Sequence, residues 1–63
     1  MDAEILELVI AADGLAVMVG RTPIGTYRVT FRDTDADAII ETRVFVARDR
    51  AIDYARGLIS QEV

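Results

Sequence analysis

Hydrophobic and polar residues alternate through the middle of the chain. In the segment YRVTFRD, residues 27–33, every second position is apolar: Tyr27, Val29 and Phe31. The alternation resumes in AIIETRVFV, residues 38–46, although Ile39 and Phe45 fall among its polar positions. A period of two is typical of half-buried strands, so the two segments predict an antiparallel hairpin with Arg28 and Arg32 near Glu41. Either a bulge re-aims one end of the second strand, or its outer face carries an apolar spot that another surface covers.

The end of the chain has a longer hydrophobic period. In RDRAIDYARGLISQ, residues 48–61, apolar side chains recur every three or four positions: Ala51, Ile52, Tyr54, Ala55, Leu58 and Ile59. This spacing predicts an amphipathic helix. Asp49 lies near its start, where a carboxylate suits the helix dipole and can cap free amides. Because several of its apolar positions are small, we expect this helix to pack closely on the sheet.

The first third of the chain is less clearly patterned. The apolar run at residues 15–19 is followed by glycines and a proline, which predicts a strand and then a turn. The segment DAEILELVIAADG before it favours a helix over residues 2–13, since Ala, Leu and Glu are strong helix formers and Gly14 is a suitable stop. The same segment also fits a strand, because ADGL between apolar runs forms a good two-residue hairpin turn.

The predicted fold is therefore α+β, with the element order α-β-β-β-α. A three-stranded antiparallel sheet packs on the C-terminal helix, and the N-terminal helix lies beside it or against a partner. With 63 residues and no linker-like segment, residues 1–63 are expected to form one small domain.

Composition limits how such a domain is stabilised. The chain contains neither Cys nor His, which excludes disulfides and zinc sites. A domain this short buries only about 60% of the surface that its unfolded chain exposes. Because 52% of its residues are hydrophobic, we expect some apolar surface to face a partner chain, most simply in a homodimer.

The charge and the N-terminal sequence bear on partners and location. The net charge is −4 and all seven basic residues are Arg. Nucleic-acid binding normally depends on Lys and Arg that neutralise phosphates, so an acidic domain argues against it. No basic n-region and no apolar run of about 20 residues is present, which predicts a soluble, cytoplasmic protein without membrane contact.

The segment RDTDADA, residues 32–38, has the alternate aspartates with which calcium loops begin. A calcium loop also requires a Gly at its sixth position and a bidentate Glu at its twelfth. In DTDADAIIETRV those positions hold Ala38 and Val44. We therefore expect a solvated hairpin loop without a metal or another cofactor.

Residues that could bind a partner cluster around this loop: Asp33, Asp35, Asp37, Glu41, Ile39 and Phe45. The four acids would form a negative surface that can dock on the Arg and Lys side chains of a nucleic-acid-binding host protein. Catalysis is not expected, because no His or Cys is available and the carboxylates lie in loops or on exposed faces. The sequence thus predicts a small non-enzymatic interaction module, such as a phage-type, anti-CRISPR-like inhibitor. A purely structural homo-oligomeric subunit is an alternative.

Residues 27–58 carry a resemblance to a known family. An aromatic-led strand ends in an Arg-Asp turn, a second strand ends in a basic-aromatic step, and a helix follows with Ala at repeated positions. This order resembles the sheet-and-helix core of the Arm-type, AP2-like domain of phage integrases. The resemblance implies a sheet that lies in a DNA groove. From the residues themselves, Arg21, Arg28, Arg32 and Arg43 are the candidates for a basic face on such a sheet. Where that family carries basic residues in the turn and on the exposed sheet, this chain has the four acids named above.

Overall fold

The computed structural model describes residues 5–60, which form a four-stranded antiparallel sheet followed by a helix. The elements are β1 (Ile5–Ala12), β2 (Leu15–Arg21), β3 (Tyr27–Asp33), β4 (Ala38–Phe45) and α1 (Arg48–Ser60). The strands lie in the sheet in chain order, β1-β2-β3-β4. Within residues 5–60, no helix is long and apolar enough to cross a membrane.

The predicted N-terminal helix is wrong, and so is the three-stranded sheet. Residues 5–12 form β1, which pairs with β2 as the first of four strands. Residues 2–4 of the predicted helix lie outside the described residues. The element order is therefore β-β-β-β-α in place of α-β-β-β-α.

The hydrophobic pattern of β1 is similar to that of a helix because the strand is apolar on both faces and is interrupted by a bulge. Leu8 lies opposite the buried Val19, whereas Leu6 lies opposite Gly20 on the other face. Glu7 is the extra residue between them, and its carboxylate accepts a hydrogen bond from Nε of Arg48 at 3.0 Å. A bulge that shifts the alternation by one residue hides the period of two that would mark a strand.

The turn after β1 has the geometry that a tight hairpin requires. Asp13 and Gly14 connect β1 to β2 and both have positive φ, at 52° and 78°. Two such residues in a two-residue loop match the twist of the flanking strands. The hairpin alternative for this segment is thus the one that the chain adopts.

Gly14→Ala is expected to lower the free energy of unfolding by more than about 1 kcal/mol, because a side chain in the left-handed region costs about that much. The added Cβ would also lie only 2.5 Å from a carboxylate oxygen of Asp35. Gly57→Ala is the matched control, since a Cβ at this helical position meets nothing within 4 Å. It is expected to stabilise the chain by up to about 1 kcal/mol. Urea denaturation measures the free energy of unfolding of both variants. An equal effect of the two substitutions would contradict the left-handed turn conformation assigned to Gly14.

The core lies between α1 and the two central strands. The predicted C-terminal helix is confirmed, and it packs mainly on β2 and β3. Six buried side chains form the centre of this layer: Val17, Val19, Val29, Phe31, Ala51 and Ala55. The alanines have no exposed surface, so the helix backbone can approach the sheet closely.

A second bulge sets the direction of the β4 side chains. Phe31 pairs with Glu41, but the next residue, Arg32, pairs with Ile39, which leaves Ile40 as the extra residue. Of the two alternatives for the irregular alternation, the bulge is therefore present, and Ile39 also remains as an exposed apolar residue on the outer face. The bulge places Glu41 on the face that α1 covers, so the predicted pairing of Arg28 and Arg32 with Glu41 is wrong.

Candidate interaction surfaces

The sheet face opposite α1, which we call the open face, is formed by side chains from all four strands. Within the described residues, no helix or strand packs over it. The strand register arranges its residues in three rows of four. Each row is given in the order β1, β2, β3, β4: Leu6, Gly20, Arg28, Val44; Val9, Met18, Thr30, Thr42; Ala11, Ala16, Arg32, Ile39.

The large apolar side chains of this face that are more than half exposed lie on the two edge strands. On β1, Leu6 and Val9 are 59% and 51% exposed, and on β4, Ile39 and Val44 are 64% and 58% exposed. Single exposed apolar residues are common on protein surfaces, but a group of them on one face marks a site of interaction. The open face is therefore the strongest candidate for a binding surface among the described residues.

The middle of the open face is lower and partly cationic. Gly20 and Met18 on β2 form the floor of a hollow of about 120 Å³, with Leu6 on one side and Arg28 and Thr30 on the other. Its two walls differ in chemistry, because one is apolar and the other carries a guanidinium group. A ligand of this face must therefore match apolar side chains on the two edge strands, a low surface over β2 and the arginines of β3.

A different surface lies at one end of the sheet, where two turns meet. The backbone N–H of Thr34 in the β3–β4 loop donates to the carbonyl of Gly14 in the β1–β2 turn at 2.8 Å. This contact brings together the aspartates of both turns: Asp13, Asp33, Asp35 and Asp37. We call these four residues the acidic end. It contains the three loop acids that the sequence predicted and adds Asp13.

The loop aspartates have structural partners within the chain. The carboxylate of Asp33 accepts hydrogen bonds from the backbone N–H groups of Asp35 and Ala36, at 3.0 and 3.1 Å. Asp37 has a φ of 53° and forms an ion pair with Arg32. Short polar side chains that bond to nearby backbone groups are typical of turns. Among residues 5–60, no group of three carboxylates is arranged to hold a metal ion.

Glu41, the fourth predicted acid, lies away from the acidic end on the face that α1 covers. It accepts hydrogen bonds from the hydroxyl of Tyr54 and from Nε of Arg43, the latter at 2.8 Å. The guanidinium carbon of Arg43 also lies 5.2 Å from the centre of the Tyr54 ring. These contacts join β4 to the middle of α1.

The same contacts shift two pKa values in opposite directions. The hydrogen bond from Tyr54, followed by the one from Arg43, lowers the pKa of Glu41 because both stabilise its charged form. The bond to Glu41 is also the largest cause that raises the pKa of Tyr54, since it stabilises the neutral phenol. This pattern is typical of a structural junction, in which each group is held in its ordinary charge state at neutral pH.

Glu41→Gln is expected to destabilise the chain at neutral pH and to have less effect in acid. A lowered pKa in the folded state contributes stability that is fully present above the ordinary value of 4.5. That contribution is lost as the pH falls through the folded-state pKa. Urea denaturation of wild type and variant across this range measures the gap in unfolding free energy. A gap that stays constant below pH 4.5 would contradict the assigned role of the carboxylate.

The two apolar residues predicted to bind a partner lie on opposite faces. Ile39 is on the open face and 64% exposed. Phe45 is on the covered face and half-buried, with its ring 5.3 Å from that of Tyr54. The structure thus brings the three loop aspartates together and separates Glu41 and Phe45 from them.

The four arginines predicted to form a basic face are divided in the same way. Arg28 and Arg32 are on the open face, whereas Arg43 pairs with Val29 in register and lies on the covered face. Arg21 pairs with Tyr27, which also belongs to the covered side. Two arginines therefore remain as the basic element of the open face.

The open-face residues that sequence reasoning missed are Leu6, Val9, Met18 and Val44, whereas Ile39 was among the predicted partner-binding residues. Leu6, Val9 and Met18 belong to segments whose apolar positions were assigned to a helix or a core. Their signal was an apolar run with no polar face, which for an edge strand means exposed apolar surface.

Comparisons with protein-family models, with curated proteins and with solved structures find no match to this chain. The two candidate binding surfaces are therefore identified from the geometry and chemistry of the chain itself.

Proposed function

We propose that this chain is a non-enzymatic protein–protein interaction module that binds through the open face. The observation that carries the proposal is the exposure of four large apolar side chains on one uncovered side of the sheet: Leu6, Val9, Ile39 and Val44. An antiparallel sheet can leave one face to water, but that face is then normally polar, and a layer with large apolar side chains is normally covered. The open face lacks such a layer among the described residues.

The chemistry of the polar residues supports a binding role over a catalytic one. Hydrogen bonds from Tyr54 and Arg43 lower the pKa of the Glu41 carboxyl group. A general acid or a base poised near neutral pH requires a raised carboxyl pKa. The polar groups of this junction are thus suited to fixing α1 on the sheet.

A photo-reactive group at Thr30 tests the proposed function. Thr30 lies in the centre of the open face, so a cross-linker there is expected to form a defined covalent adduct in cells that express the chain. The matched control is a cross-linker at Arg56, on the exposed side of α1. Mass spectrometry identifies the attached peptide. Absence of a specific adduct from Thr30, or identical adducts from both positions, would contradict binding through the open face.

Binding of a basic host protein at the acidic end, as an inhibitor would, stays a prediction that the adjacency of the two turns favours. Charge complementarity raises association rates and selects partners. Reversal to Arg would disturb the turns, because Asp13 and Asp37 have positive φ and Asn tolerates that region better. The double variant Asp13→Asn, Asp37→Asn therefore removes two negative charges and keeps the conformation of the turns. If a basic partner is captured equally well by this variant, the charges of Asp13 and Asp37 do not bind it.

The competing DNA-binding function also stays a prediction. It requires retention on DNA that falls steeply with salt and is weakened by Arg28→Ala. If the chain is not retained on DNA at low salt, the DNA-binding function is excluded.

A further inference from the structure

We propose that the partner of the open face is a second copy of this chain, packed face to face with its two-fold axis parallel to the strands. This inference rests on the proposed function and names the occupant of its surface. It follows from how the three rows of the open face match a rotated copy of themselves.

The proposed axis runs between β2 and β3, so rotation places β1 over the partner's β4 and β2 over the partner's β3. Each row then faces the same row in reverse order. Leu6 meets the second copy's Val44, and the small Gly20 meets its Arg28. In the third row, Ala16 meets Arg32 in the same way. In the first and third rows, arginines thus lie over small residues and apolar edge residues lie over each other, which is the complementarity that packed sheets require. In the middle row, Val9 meets Thr42 and Met18 meets Thr30.

The alternative two-fold axis, perpendicular to the strands, gives a poor match. It stacks each strand on its own copy and reverses the order of the rows. Arg28 would then lie over the second copy's Arg32, and Gly20 over its Ala16. Gly20 and Ala16 are both small, so they would leave a gap between the sheets, and such a gap disfavours association.

The charges of the preferred arrangement can be accommodated. Arg32 forms an ion pair with Asp37 of its own chain, so it brings its counterion with it. Arg28 and Arg32 belong to the first and third rows, near the ends of β3. Arginine side chains there can lay their apolar stems along the interface and keep their charged ends in water.

The area of the open face predicts a reversible dimer. Four strands about 4.8 Å apart and seven residues long cover about 19 Å by 23 Å, or roughly 440 Å² per copy. This is about half of the roughly 800 Å² per partner that a standard interface buries. Dissociation in the micromolar range is therefore expected, with both helices on the outside of a four-layer α-β-β-α assembly.

A complementary pair of variants tests the arrangement. Leu6→Lys alone and Val44→Glu alone each put a charge against an apolar residue in both halves of the dimer, so each is expected to weaken self-association at least tenfold. Both positions are more than half exposed, at 59% and 58%, which leaves the monomer fold intact. When the two variants are mixed, one lysine faces one glutamate and the other contact is the wild-type pair. The mixture is therefore expected to regain association to within a few fold of wild type.

Sedimentation equilibrium across the micromolar range measures these three samples, with Val46→Lys as the control. Val46 is 84% exposed but follows β4 outside the three rows, so its substitution is expected to leave dimerisation unchanged. Dimerisation of Val44→Glu at wild-type strength, or a mixture that stays monomeric, would overturn the proposed arrangement. A wild-type monomer throughout would overturn the dimer itself. In that case a specific adduct at Thr30 with another protein would still support the proposed function.

Discussion

Phe31→Ala is expected to lower the free energy of unfolding by about 3–5 kcal/mol, enough to unfold most of the chain if its total stability lies at the lower end of the range for its length. Phe31 is the largest side chain of the buried cluster between sheet and helix, and it is 9% exposed. Truncation of a buried Phe costs about 3–5 kcal/mol, because apolar contacts are lost and a cavity remains. A chain of this length is expected to have a total stability of only about 3–9 kcal/mol. Circular dichroism and urea denaturation measure the change.

The same substitution at Phe45 is the matched control. Phe45 is half-buried and packs against Tyr54 at the edge of the core, so Phe45→Ala is expected to cost clearly less. Phe31→Leu keeps most of the apolar volume and gives a folded variant whose smaller loss can be measured if the alanine variant does not fold. Equal losses for Phe31→Ala and Phe45→Ala would place the centre of the core elsewhere.

Ala55→Leu is expected to destabilise the chain by about 1–3 kcal/mol, although leucine is the more hydrophobic residue. Ala55 has no exposed surface where α1 lies on β2 and β3. A larger side chain must push the helix away from the sheet or adopt a strained rotamer, since close-packed interiors have little free volume. The midpoint of urea denaturation reports the loss.

Arg56→Leu, one position further along α1, controls for the effect of leucine on the helix. Arg56 is exposed, and surface substitutions of this kind usually change stability by less than about 0.5 kcal/mol. A stabilising effect of Ala55→Leu would mean that space exists between helix and sheet at this position.

The elements that could be predicted from sequence are those with one apolar and one polar face. In β3, Val29 and Phe31 alternate with polar residues, and the alternation matches the observed burial. In α1, Ala51 and Ala55 are four residues apart and both are fully buried. A single apolar face fixes both the type of element and its orientation.

The first strand could not be predicted in this way, because its apolar residues point in both directions. Leu8 lies on the covered side while Leu6 and Val9 lie on the open face, with the bulge at Glu7 between them. Spacings of three residues then imitate a helix. What decides the structure is pairing with β2 through the Asp13-Gly14 turn, an interaction between segments that local propensity does not contain.

Candidate site residues could be predicted from sequence where they are neighbours in one loop. They could not be predicted where their position depends on the register of the strand pairing. The aspartates of residues 33–37 share a loop because they are close in sequence. Glu41 and Phe45 were assigned to an exposed face, but the bulge at Ile40 moves them to the covered one. A shift of one residue moves every later side chain of a strand to the other face. The open face itself arises from four strands together, so no single segment displays it.

The chain thus combines a covered face, which holds it together, with an open face, which we propose packs on a second copy. The covered face contains the core and the Glu41–Tyr54 junction. The open face contains exposed apolar residues on both edge strands, and Gly20, Met18 and Ala16 of β2 lie beside the two arginines of β3. The two faces can be tested separately. Substitutions in the core are expected to change the free energy of unfolding, and substitutions on the open face are expected to change self-association.

The most direct test of this account is an isotope-filtered nuclear Overhauser experiment on a mixture of labelled and unlabelled chains. At concentrations where the chain sediments as a dimer, we predict intermolecular contacts between the methyl groups of Leu6 and those of Val44. Within one chain these residues lie on opposite edges of the four-stranded sheet, so such contacts can come only from a second copy. Intermolecular contacts confined to β1, or none to Leu6 and Val44, would contradict face-to-face packing through the open face.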